Sequence, residues 1–159
     1  MIAYMKHSPV TVAAVFNTSY DVIEMIRHTL QQAGMVVVSA FTHEVRDGAL
    51  DIESFIRQHD PRVIVYDIAP PYEANWRLFE HFQALPVMAG RQFVLTSPNA
   101  VQVGKVASKF KQPIYEVVGK PLDLTQLVRA VKEASRQTDA VAWALRQRDG
   151  YPGCSRCAG

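Results

Sequence analysis

Three side chains in this sequence have the types and the placing for phosphoryl chemistry. Asp67 closes the apolar run Arg62-Val63-Ile64-Val65-Tyr66, and Thr96 closes Gln92-Phe93-Val94-Leu95. Lys120 follows Ile114-Tyr115-Glu116-Val117-Val118-Gly119. Each run reads as a β-strand. In an open parallel α/β sheet the C-terminal strand ends share one crevice, where ligands bind. A carboxylate there can serve as a covalent phosphoryl acceptor. A hydroxyl and an ammonium can then stabilise the phosphoryl oxygens. Taken singly, each residue has a plainer role: a helix cap or turn former, a β-favouring strand end, a solvated loop charge. Their recurrence at three strand ends points to one site.

The elements that must position them alternate along the chain. Val10 to Phe16 is a first strand, apolar on both faces as parallel strands under helices are. Asn17-Thr18-Ser19 breaks it, and Thr18 with Asp21 forms a helix-capping pattern. Val22, Ile23, Ile26 and Leu30 give a helical stripe, Gly34 stops that helix, and Met35 to Ala40 make a second strand. Asp51 to His59 is a short helix ended by Asp60-Pro61. The strand to Asp67 follows, then a helix carrying Trp76, Phe79, Phe82 and Leu85, then the strand to Thr96. A weaker helix spans Asn99 to Phe110, and a fifth helix opens at Asp123 with Leu124, Leu127, Val128 and Val131 as its stripe. Five β/α units predict a three-layer, doubly wound α/β fold with a five-stranded parallel sheet of flavodoxin-like or receiver-like type.

The fifth helix is expected to run on. Leu124, Leu127, Val131, Ala134, Thr138, Val141 and Leu145 alternate spacings of three and four, with no Gly or Pro before Gly150. The expected organisation is an α/β domain over 9–133, a helical extension over 134–149 and a flexible tail over 150–159. Leu124, Leu127, Val131, Val141 and Leu145 are the candidate interaction residues. Two readings of the extension stand open: pairing with a second copy or a partner, or folding back on its own domain.

Composition narrows the classes. The 17 basic and 15 acidic residues leave a net charge of +2, too balanced to call for nucleic acid or an anionic membrane surface. No apolar run reaches the roughly 18 residues of a membrane span. The opening Met1-Ile2-Ala3-Tyr4-Met5-Lys6-His7 lacks signal-peptide order, so a cytoplasmic location is expected. Cys154 and Cys157 stand alone in a Gly-rich end. They lack the second pair of ligands that a structural zinc site takes. No Gly-rich phosphate loop follows the first strand, which argues against a dinucleotide, and Thr18 and Ser19 answer only weakly to a flavin.

Over residues 9 to 133 the chain resembles a response-regulator receiver domain. The resemblance rests on Asp67 at the end of the third strand, Pro71 four residues on, Thr96 at the end of the fourth, and Gly119-Lys120-Pro121-Leu122-Asp123-Leu124 after the fifth. It implies Asp67 as phosphoacceptor, Thr96 and Lys120 as its stabilisers, and a cis bond at Pro121. It implies no enzyme but a module in a phosphorelay, with a sensor histidine kinase or another signalling protein as partner; the homodimer is an expectation of the helical extension, not of the resemblance. It also implies Mg²⁺, held here by Asn17, Asp67 and the carbonyl of Ala69. The family's acidic pair after the first strand is replaced by neutral Asn17 and Thr18, which weakens that ion. The aromatic switch position on the fifth strand aligns with Val117. The alternative is a pseudo-receiver, an interaction or dimerisation module that works without phosphorylation. A third reading is a small-molecule site in the same crevice, which predicts an open apolar pocket beside Asp67.

Overall fold

A computed structural model describes residues 10–107, 114–119 and 122–148, with side-chain surroundings over 10–105, at 119 and over 122–137. The elements run β1 (Val12–Asn17), α1 (Tyr20–Gln32), β2 (Val36–Phe41), α2 (Thr42–Arg46), α3 (Ile52–His59), β3 (Val63–Asp67) and α4 (Tyr72–Gln83). After a single 3₁₀ turn at Pro86–Met88 come β4 (Gln92–Ser97), α5 (Ala100–Ala107), β5 (Ile114–Gly119) and α6 (Leu124–Arg148). The sheet is parallel in the order β2-β1-β3-β4-β5. β5 joins β4 across a register shift between Phe93 and Val94. Among the described residues no helix is long and apolar enough to cross a membrane.

Strand alternation sorts the core into two layers, because successive side chains leave a strand on opposite faces. Ala13, Val15, Val63, Val65 and Val94 face α1 and α6, meeting Ile23, Ile26, Leu30, Leu127 and Val131. Ala14, Phe16, Ile64, Tyr66, Phe93 and Leu95 face the other way, onto Ile56, Phe79, Phe82 and Val103. The first layer is aliphatic. The second is held by rings, with Phe16 edge-on to Phe82 at 5.0 Å and Phe79 edge-on to Phe93 at 5.5 Å. Such offset and edge contacts add about 0.5–1.5 kcal/mol per pair beyond area burial. The wholly buried β3 explains why its sequence is a continuous apolar run rather than an alternating one.

Local chemistry places the helix starts, in one case differently from the sequence expectation. Ser19, not Thr18, caps α1: its Oγ accepts the Val22 N–H at 3.5 Å, and Thr18 is exposed. Asp51 caps α3, accepting the Ser54 N–H at 3.2 Å and the Ser54 hydroxyl at 2.8 Å. Between β2 and α3 the short α2 is held at its entry by Glu44, whose carboxylate accepts the Phe41 N–H at 3.0 Å. Asp60 ends α3 in the left-handed conformation, at φ 45°.

The C-terminal helix is continuous through the expected boundary near 133. Leu127, Val131 and Ala134 are all at zero exposure in the aliphatic layer, and Leu124 packs against it. The Ser135 and Thr11 hydroxyls are hydrogen-bonded at 2.9 Å. Thr11 directly precedes β1, so α6 has by then crossed the sheet from strand ends to strand starts. Arg136 and Gln137 are exposed, and the backbone stays helical to Arg148. That adds about 20 Å of axis, at ~1.5 Å per residue.

Candidate functional site

The order β2-β1-β3 makes the gap between β1 and β3 the point where successive connections leave in opposite directions. In a doubly wound sheet that switch point opens the ligand crevice at the strand ends. Asn17 closes β1, Asp67 closes β3 and Thr96 stands beside Asp67 in register on β4. All three are buried: Asn17 is 2% exposed, Asp67 5% and Thr96 1%. The Thr96 hydroxyl donates to Asp67 Oδ1 at 2.6 Å. The Ile68 N–H donates to the Thr96 carbonyl at 2.8 Å, which extends the pairing of β3 and β4 one residue past Asp67.

The oxygens expected to hold a divalent ion each accept an internal hydrogen bond. Asn17 Oδ1 takes the Ser19 N–H at 2.9 Å, an Asx turn that shapes the junction between β1 and α1. The Ala69 carbonyl takes the Asn75 side-chain amide at 2.6 Å. Asp67 Oδ1 takes Thr96, and Asp67 carries the only formal charge of the three. Mg²⁺ demands near-octahedral oxygen ligands and leans on carboxylates. A set with one carboxylate and three internally bonded oxygens does not fit that demand. Among the described residues no group of three or more His, Cys, Asp or Glu is placed to hold a metal ion.

Charge at Asp67 also reaches its neighbour. Burial pushes the Tyr66 phenol well above its ordinary range, and the Asp67 carboxylate adds to the shift. Tyr66 therefore stays protonated at any physiological pH and acts in the aromatic layer as a ring.

Lys120 and Pro121 lie outside the described residues. The backbone brings the preceding Gly119 opposite Ser97, one step past Thr96. The cis proline bond among the described residues is Pro70–Pro71, the bond of the motif's own Pro71. Val117 lies on β5, where the backbone alone is described, as it is at Val141 and Leu145 on α6. Leu127 and Val131 are consumed by the domain's own core and present nothing to a partner, which corrects their expected place in an interaction seam. Cys154 and Cys157 lie outside the described residues.

Sequence reasoning passed over Ser97. It is fully buried, and its Oγ accepts the Asn99 N–H at 3.2 Å, setting the turn into α5. The signal was there in Thr-Ser-Pro-Asn after an apolar strand, a turn-forming cluster. A groove also opens beside the strand end, along α4 and α5, with Ile68 and Val103 in its lining.

No protein-family model matches the chain, and no curated protein matches it. Solved structures do. A sensor protein from Polaromonas sp. JS666 superposes with a TM-score of 0.63 at 14% identity, over 82% of this chain and 99% of that one. A response-regulator receiver domain protein from Clostridium thermocellum gives 0.61 at 15% identity, over 83% and 99%. The chemotaxis protein CheY4 from Vibrio cholerae gives 0.57 at 18% identity, over 79% and 98%. Likeness at this identity carries architecture: the chain has the fold of CheY-like receiver domains.

Proposed function

We propose that this receiver-fold chain is a signalling module that acts by protein contact, with Asp67 kept as a buried structural carboxylate. The partner class the fold favours is another signalling protein of the sensor-kinase kind. The observation that carries the reading is the engagement of the site. Asn17 supplies a neutral amide where charge is needed, and its oxygen already accepts the Ser19 N–H at 2.9 Å. The Thr96 hydroxyl is likewise engaged with Asp67.

A second reading, with Asp67 as a working phosphoacceptor, is favoured by that same pairing at adjoining strand ends. In it the Asp67 carboxylate attacks phosphorus and displaces the donor's leaving group. The Thr96 hydroxyl rotates from the carboxylate to a phosphoryl oxygen.

Mild-condition mass spectrometry after incubation with acetyl phosphate and Mg²⁺ separates the two. Under the first reading the parent chain gains no phosphoryl mass, whereas Asn17→Asp with Thr18→Asp gains it. An addition to the parent that Asp67→Asn abolishes would establish the second.

A further inference from the structure

We propose that the groove between α4 and α5 binds a small aromatic amine. Its volume is about 340 Å³, within the roughly 300–1,000 Å³ of small-molecule pockets. The base is apolar and held in place: Ile68, Trp76 and Val103 are all buried, and Tyr72 adds a second ring to the wall. A planar ring matches that base. The rim selects charge. Glu73, Arg77 and Glu80 line it from one face of α4, since residues three, four and seven apart share a helix face. Among the described lining residues, two carboxylates against one guanidinium leave the rim net negative. The Trp76 indole N–H donates to Glu80 Oε1 at 3.0 Å, which sets ring and carboxylate side by side. A cation there meets both an aromatic face and carboxylate charge, two attractions of the same sign. An anionic ligand of the same shape meets repulsion.

The inference stands apart from the proposed function, because it makes no use of whether Asp67 is phosphorylated. The two places nonetheless adjoin. Ile68 follows Asp67 directly and bonds through its N–H to the Thr96 carbonyl at 2.8 Å, so one strand end serves both.

Phenethylamine titrated into the isotope-labelled chain, followed by nuclear magnetic resonance, tests it. The chain has two tryptophans, and Trp143→Phe identifies the Trp76 indole N–H signal. The amine is expected to move that signal, and phenylacetate to bind about tenfold more weakly or worse. Glu73→Gln with Glu80→Gln, which keeps an acceptor for Trp76, should weaken the amine about fivefold or more. Arg77→Gln should tighten it. Equal binding of amine and phenylacetate, or an unmoved Trp76 signal, overturns the proposal. So does a shift with n-butylguanidine and none with phenethylamine, which would assign the groove to a basic side chain of a partner protein.

Discussion

The Thr96 hydroxyl sits 2.6 Å from Asp67 Oδ1, and both residues are buried at the ends of paired strands. A buried carboxylate is costly unless donors compensate it. A hydrogen bond to a charged group contributes about 1.5–3 kcal/mol. Thr96→Val keeps shape and removes the donor, so it is expected to destabilise the fold by about 2 kcal/mol. Thr96→Ser should retain more than half of that. Urea unfolding of both variants checks the difference, and equal stabilities would show the bond to be energetically idle.

Phe79 touches Tyr66, Trp76 and Phe93 in the aromatic layer and has no solvent exposure. Phe79→Ala is expected to cost about 3–5 kcal/mol, through lost burial and the cavity left behind. Val101, 71% exposed on α5, provides the contrast. Val101→Ala should change stability by less than about 0.5 kcal/mol. Thermal unfolding reads both.

The hydrogen bonds from the Ser54 hydroxyl and backbone hold the Asp51 carboxyl below the ordinary aspartate value of 3.8. Its folded pKa is thus lower than its unfolded one. The stability it contributes is present above that ordinary value and is lost as pH falls through the depressed folded value. Asparagine caps as well as aspartate but does not titrate. Asp51→Asn should therefore leave stability at neutral pH nearly unchanged and flatten its decline in the acid limb below 3.8. Urea midpoints measured through that window test this, and parallel curves for the two proteins would contradict it.

Among the residues of α6 whose side chains are described, which end at Gln137, the last buried ones are Ala134 and Ser135. A chain ending at Gln137 keeps every described core residue, and its unfolding free energy is expected to stay within about 0.5 kcal/mol of the full chain. Far-ultraviolet circular dichroism should lose only the signal of the missing turns. A chain ending at Ala130 loses Val131 and Ala134 from the aliphatic layer and should fail to fold stably. If truncation after Gln137 instead causes a loss of stability that depends on protein concentration, a second copy rests on the extension.

The order of elements was legible in the sequence because it rests on local chemistry. Apolar runs ending at Asp67 and Thr96, the Asp123 cap and the stop at Gly34 each act over a few residues. The replacement of acidic residues by Asn17 and Thr18 was equally plain, since it is a matter of residue type. What those side chains bond to was decided only in three dimensions. The Asn17 oxygen meets the Ser19 N–H only two residues on, but the Asn75 amide reaches the Ala69 carbonyl across a turn and Thr96 meets Asp67 across 29 positions of sequence. The repeat through Leu127 and Val131 shows the same limit. A three-four spacing reports that a helix face is apolar and is silent on what covers it. The sheet's own core covers that face as far as Ala134, because α6 must bury it before any partner arrives. The groove is tertiary throughout: Ile68, Trp76 and Val103 lie on three separate segments, and no periodicity links them.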